Sequence, residues 1–316
     1  MDSADLQKLA KRTRSKREAG VALVFTTLLL GVFLFVPLTP VRPIAPAPVV
    51  VTASSTPNAF ATISVDAQAA IVYDLATGET LYAKNANAQL PLASLTKLLT
   101  VYVALSVLSP ETPITVSAQA VHTDSPRAFN VGQTFALADI ARLTLTASLN
   151  DGASAIAEAT AERQNLSQNA MLASAATGLG LSQTYAVNGS GLDVSTAVSG
   201  GYGSARDLAR LAGALAAKAP AIAVATTESS AHAVSAGGTS FTVKNTDPMV
   251  ATIPGLLLSK TGFTDLAGGN LAIVFDAGIN HPVAVVVLGS SRNARFTDSN
   301  ALISASLAHF AGVASL

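Results

Sequence analysis

Apolar positions come in short strand-like runs near both ends of the chain and at helical spacing in its middle. Ala69–Asp74 (AAIVYD) and Glu79–Ala83 (ETLYA) flank Leu75-Ala-Thr-Gly78, where glycine suits a turn, so a hairpin is expected. Ser94–Leu108 (SLTKLLTVYVALSVL) is apolar almost all round, which predicts a helix buried at a domain centre and stopped by Pro110 and Pro113. Leu137–Ala147 and Gly152–Arg163 both show helical spacing, and Asn150-Asp151-Gly152 breaks them apart. Asn165–Leu179 predicts another helix. Ser204–Ala219 predicts an amphipathic one, with Ser204 as its N-cap and Gly200–Gly203 as the turn before it. Gly255–Thr264, Asn270–Asp276 and Pro282–Leu288 read as three strands, and Thr297–Ala311 as a closing helix.

Strands at both ends with helices between them imply one mostly antiparallel sheet, in an α/β (α+β) fold with a helical insertion. The closing helix and the Ser94 helix are expected to pack on that sheet.

The first 62 residues follow a different pattern. Residues 1–18 are basic, with Lys8, Lys11, Arg12, Arg14, Lys16 and Arg17. An uncharged apolar stretch follows, and residues 19–39 are expected to be a transmembrane anchor or an uncleaved signal, with a cleaved signal peptide as the alternative. Cations ahead of the stretch favour a cytoplasmic N-terminus and an extracytoplasmic remainder. Residues 40–62 are rich in Pro, Ala and Ser and predict an extended tether. Residues 63–316 form the expected catalytic domain.

Composition narrows the classes. The formal net charge is zero, so no nucleic acid partner is indicated. There is no cysteine, which excludes disulfides, thiolate metal sites and a lipidated cysteine anchor. The four histidines are scattered without ligand spacing.

Three short motifs carry the chemical signal. In Ser94-Leu-Thr-Lys97 the two polar side chains are three residues apart and share a helix face. A serine needs a base to become a nucleophile, and lysine can be that base only when neutral, which burial and a second nearby cation both favour. Lys260 is the candidate second cation. In Ser148-Leu-Asn150 the hydroxyl can relay a proton and the amide can hold Lys97 and a substrate carbonyl. The same residues also suit a helix N-terminus. Lys260-Thr261-Gly262, followed by Phe263 and Thr264, lies on a strand whose edge can take an added peptide strand. The Ser94 and Phe263 N–H groups can then form an oxyanion hole, and Lys260 with Thr261 can bind a carboxylate.

These motifs resemble those of the penicillin-binding D-alanyl-D-alanine carboxypeptidases, the low-molecular-mass serine DD-peptidases. The resemblance extends through Ile71–Lys84, Pro91–Thr100, Asn188–Ala209 and Leu258–Leu271. It implies a β-lactamase/DD-peptidase-like fold, with Ser94 as acyl-enzyme nucleophile, Lys97 as proton acceptor and Ser148 as relay. Asn150, Lys260, Thr261, Gly262, Phe263 and Thr264 would bind substrate, and Arg295, or alternatively Arg292, would assist at the carboxylate. The implied substrate is the D-Ala-D-Ala end of a peptidoglycan stem peptide. β-Lactams would be covalent inhibitors, and neither a cofactor nor a metal is required. Many members carry a second β-rich domain and a terminal membrane helix. This chain ends within about 20 residues of Arg295, so the N-terminal segment is expected to take over anchoring. The alternatives are a DD-endopeptidase cutting cross-links and a β-lactamase on the same fold. The second is disfavoured because no glutamate lies between Gly180 and Gly203.

Overall fold

A turn closed by Gly78 N–H on the Asp74 carbonyl at 2.9 Å joins Ala69–Asp74 (β1) to Thr80–Lys84 (β2), as the apolar pattern predicts. The computed structural model describes residues 3–35 and 58–312. It divides into two units, Met1–Ser54 and Ser55–Leu316. In the first, Ser3–Phe35 forms one helix (α1). Among the described residues no single helix is long and apolar enough to cross a membrane. Residues 36–39 of the expected anchor, and residues 40–57 of the expected tether, lie outside the described residues. Residues 58–62 are not tether: Ala59 and Phe60 are buried, and the Phe60 ring packs 6.0 Å from Tyr82 and 5.9 Å from His309.

The second unit is built on one five-stranded antiparallel sheet. Leu256–Thr264 (β3), Gly268–Asp276 (β4) and Pro282–Ser290 (β5) join β1 and β2 in the order β3-β4-β5-β1-β2. β5 pairs with β1, so the two ends of the domain's sequence meet in mid-sheet. Both faces are covered, which is why the central strands read as unbroken apolar runs. Ile71, Ala272, Val274, Ala284 and Val286 face one core; Val72, Leu271, Ile273, Val285 and Val287 face the other.

The longer helices are Thr96–Val107 (α2), Leu137–Ala147 (α3), Asn150–Gln164 (α4), Gln168–Gly178 (α5), Ala205–Lys218 (α6) and Ala294–Phe310 (α7). The closing helix α7 packs on the sheet at β4 and β5, as expected. The Ser94 helix does not. Its main neighbours are α3, α4, α5 and α6, and it is α6 that covers the first face of the sheet. The reason lies in the patterning: α2 is apolar all round and suits a site enclosed by helices, whereas amphipathic α6 has one face for the sheet and one for water. Ser204 caps α6 as predicted, its Oγ accepting from the Asp207 N–H at 3.1 Å.

Gly200–Gly203 is not the simple turn expected. Gly201–Gly203 is a short strand between Leu90–Pro91 and Tyr185–Ala186. A Cβ on Gly201 would strike the Thr96 hydroxyl, so glycine here lets the strand pass against the start of α2. A hairpin of Ser230–Val234 and Ser240–Lys244, which the apolar pattern did not indicate, packs on α3.

Candidate active site

Ser94 sits in a single 3-10 turn, Ala93–Leu95, that runs straight into α2. Ala93 is held at φ 48°, an uncommon conformation for a residue with a Cβ, immediately before Ser94. One helical step on, Lys97 is fully buried. Its Nζ donates to Ser94 Oγ, Asn150 Oδ1 and the Ser190 carbonyl, each at 2.7 Å. Among the described residues no carboxylate forms an ion pair with it. Burial first, and then the charge of Lys260, hold its ammonium well below the usual lysine range, with Asp151 opposing.

Ser148 ends α3 in the left-handed conformation, φ 59°, and Leu149 leads into α4. This kink between two helices turns the Ser148 hydroxyl toward β3, where Lys260 Nζ donates to it at 2.9 Å. Lys260 also donates to the Thr261 carbonyl at 2.7 Å. It is buried, and desolvation followed by the charge of Arg295 brings its ammonium down to about 7. Two lysines from far-apart segments therefore share one pocket, and the charge of Lys260 weakens the hold of Lys97 on a proton.

β3 is an edge strand, and beside Gly262 it passes close to the Ser94 turn. A Cβ built on Gly262 would lie 2.9 Å from the Leu92 carbonyl oxygen and 3.3 Å from the Ser94 nitrogen. Glycine thus allows the Ser94 and Phe263 segments to approach as two donors for one oxyanion require. Asn270 on β4 clamps the same region, donating to the Pro91 carbonyl at 3.0 Å and accepting from the Gly289 N–H at 2.8 Å.

All ten residues singled out in the sequence fall around this cleft, with three refinements. The Asn150 amide holds Lys97 through Oδ1, but its Nδ2 already donates to the Asp124 and Ser125 carbonyls at 2.9 and 3.0 Å, so it fixes a loop rather than waiting open for substrate. Arg295 is buried, and its Nη1 donates to the Gly262 carbonyl at 2.6 Å. Burial, then Arg292, lower its pKa, and Asp247 opposes them. Arg292 is exposed and lies over the Phe263 ring, 3.7 Å from its centre. Thr261 Oγ1 sits 2.6 Å from Thr246 Oγ1.

Four contributors had no role in the sequence reading. The Ser190 carbonyl is the third partner of Lys97. Thr246 meets Thr261, and Asp193 accepts from Thr264 Oγ1 at 3.1 Å. Asp151 is buried and accepts from the Ala128 and Phe129 N–H groups, both at 2.8 Å. Ser190 and Asp193 lie within a stretch that carried the resemblance; nothing in the sequence marked Thr246.

A serine hydroxyl, a buried lysine of lowered proton affinity bonded to it, a second lysine and an edge strand drawn close to the serine's backbone suit a serine acyl-transfer site. An apolar cavity of about 430 Å³, lined by Leu75, Val224, Leu257, Val274 and Pro282, lies at the opposite end of β3 and holds none of these groups. A family model described as D-alanyl-D-alanine carboxypeptidase matches residues 51–292. The chain belongs to this family. It is a serine DD-peptidase, a hydrolase. A D-alanyl-D-alanine endopeptidase of Pseudomonas aeruginosa is 30% identical over 239 residues, covering 74% of each chain. Penicillin-binding protein D2 of Listeria monocytogenes, solved in its ampicillin-bound form, is 26% identical with a TM-score of 0.63, over 77% of this chain and 98% of that one. A D-alanyl-D-alanine carboxypeptidase from Mycobacterium tuberculosis shares the fold, with a TM-score of 0.68 at 24% identity over 79% of this chain and 92% of that one. The mostly antiparallel sheet with a helical insertion is thus the DD-peptidase fold.

Proposed function

We propose that the protein removes the terminal D-Ala from peptidoglycan stem peptides through an ester on Ser94. Neutral Lys97 accepts the Ser94 proton as Oγ bonds to the carbonyl carbon of the penultimate D-Ala. The oxyanion rests on the Ser94 and Phe263 N–H groups. The C–N bond breaks, and the proton that Lys97 took from Ser94 passes through Ser148, beside Lys260, to the leaving amine. Water then adds to the ester, gives up a proton to Lys97 and frees the Ser94 hydroxyl. Lys260 and Thr261, with the Arg292 and Arg295 charges behind them, hold the departing residue's carboxylate. The observation that carries this reading is the 2.7 Å contact between Lys97 Nζ and Ser94 Oγ, beside a second lysine in the same pocket.

β-Lactams present a carboxylate and a strained amide to the same groups and are expected to acylate Ser94. The ampicillin bound to the Listeria relative supports this. The acyl-enzyme is expected to last. Glu158 is occupied elsewhere, accepting from Ser117 Oγ at 2.6 Å, and no glutamate among the described residues bonds to Ser94 or Lys97. The relative in Pseudomonas supports a second reading, cleavage of D-Ala-containing cross-links. The basic run and apolar stretch at the N-terminus support a membrane anchor with residues 63–316 outside the cytoplasm.

Digestion of purified peptidoglycan, with products read by mass, separates the two peptidase readings. Free D-Ala from monomeric stems supports the first, and loss of cross-linked dimers supports the second. Labelling by fluorescent penicillin is expected in the native protein and absent in Ser94→Ala. Labelling that persists in a folded Ser94→Ala protein would falsify the assignment.

A further inference from the structure

We propose that the Asp193 carboxylate is a specificity-determining group that receives the side-chain ammonium of the substrate residue preceding the D-Ala-D-Ala pair. The proposal rests on the peptidase reading above and names a feature of its substrate. Along β3 the order of contacts sets the direction of a bound peptide. The terminal carboxylate lies at Lys260 and Thr261, and the reacting carbonyl lies at the Phe263 N–H. Each further residue advances an extended chain by about 3.3 Å, so the preceding substrate residue continues toward Thr264.

There the site changes character. β3 is buried from Leu258 to Gly262 and half-exposed at Phe263 and Thr264, so the cleft opens at this point. Thr264 Oγ1 donates to Asp193 Oδ1 at 3.1 Å, and Asp193 is itself half-buried. Exposed Asp265 is next in the chain. No lysine, arginine or histidine among the described residues forms an ion pair with Asp193. The inner end of the cleft holds Lys97, Lys260 and Arg295, and its outer end holds a carboxylate. A peptide with an anionic terminus and a cationic side chain next to the D-Ala pair matches that polarity.

Asp193 is also held in place. Asn188 Oδ1 accepts from the Ser190 N–H at 3.2 Å, the Ser190 hydroxyl at 3.0 Å and the Gly191 N–H at 2.8 Å, while its Nδ2 donates to the Leu192 carbonyl at 3.0 Å. The Ser190 carbonyl in turn binds Lys97. One braced loop thus carries a partner of the lysine and the carboxylate together. The recognised class is a primary aliphatic ammonium on a lysine-like or diaminopimelate-like residue. Stems whose side-chain amine is free would be favoured over stems in which that amine has been acylated by a cross-link.

The test uses the full chain and three peptides, Nα-acetyl-Lys-D-Ala-D-Ala with its ε-amine free, acetylated or succinylated. The expected order of kcat/KM is free, then acetylated, then succinylated, with about tenfold between the first two, as for a hydrogen bond between charged groups. High ionic strength should shrink that ratio. In Asp193→Asn the ratio should fall to near one, and Asp193→Glu should retain part of it. A carboxylate that only braces the loop would move all three rates together and leave the ratio intact, which overturns the proposal. If Asp193→Asn does not fold, the native enzyme decides: indifference to the ε-substituent rejects the proposal, and a salt-sensitive ranking supports it. Equal cleavage of all three peptides rejects this inference alone, whereas cleavage of none rejects the peptidase reading along with it.

Discussion

Lys260 Nζ donates to Ser148 Oγ at 2.9 Å, joining an edge strand to the end of a helix 112 residues earlier in the chain. Through Ser148 the second lysine reaches the space beside Ser94 and Lys97. Its own proton is loosely held, at about 7, because it is buried near Arg295. Both features bear on how activity depends on pH.

A substrate carboxylate is held by the charged form of Lys260. As pH rises through about 7 that charge is lost in the free enzyme, so kcat/KM for a D-Ala-D-Ala peptide should fall on the alkaline side, by about tenfold per unit once well past the midpoint. Burial and the charge of Lys260 also lower the proton affinity of Lys97, and loss of a proton from the base favours acylation, so Lys97 is not the source of this alkaline fall. Replacing Lys260 by Arg, whose charge persists, should remove that limb. A profile flat from pH 7 to about 9 in the native enzyme, or a limb unchanged in Lys260→Arg, contradicts this role.

The same shift affects stability. Lys260 has its proton affinity lowered by folding, from 10.5 to about 7, so between those values the unfolded chain binds more protons than the folded one. Stability from this group is greatest above 10.5, declines as pH falls across that window, and levels out below about 7. Lys260→Met should flatten the rise of Tm with pH over the same range. Thermal melts of the two proteins at several pH values measure it, and parallel curves would count against it.

Gly191 is in the left-handed conformation, φ 77°, with no room for a Cβ against the Ala93 carbonyl. Gly191→Ala must therefore push the Ser190 loop away from the Ser94 turn and weaken the Ser190–Lys97 contact. Penicillin acylation is expected to slow by at least tenfold and the protein to lose about 1–3 kcal/mol of stability. Acylation at the native rate would show that this loop does not position Lys97.

Asn270 is fully buried and satisfies one donor and one acceptor, the Gly289 N–H and the Pro91 carbonyl. Asn270→Ala leaves both unpaired, at a cost of about 2–4 kcal/mol. It also frees the segment leading to Ser94, so penicillin acylation should slow as well. Urea denaturation and labelling rates together test this. A loss in stability with an unchanged acylation rate would limit Asn270 to the fold.

Much of this molecule was legible in order along the chain. The hairpin at Ala69, the long β3, β4 and β5, and the amphipathic α6 follow from patterning and caps, which act between residues close in sequence. Ser94, Lys97, Ser148 and Lys260 were legible because a motif is local and its spacing on a helix or strand sets which side chains share a face. The packing of α2 was not, since an all-apolar helix is equally buried against a sheet or among other helices.

What tertiary structure alone decided is which distant groups meet. The Ser190 carbonyl on Lys97, Thr246 against Thr261, Asn150 Nδ2 spent on a loop, and Asp193 beside Thr264 all join groups that no single local motif contains. Residue types predict that such atoms need partners. Only closure of the sheet, with β5 laid against β1, brings a particular donor to a particular acceptor at bonding distance and removes the water that would otherwise leave both lysines with their ordinary proton affinity.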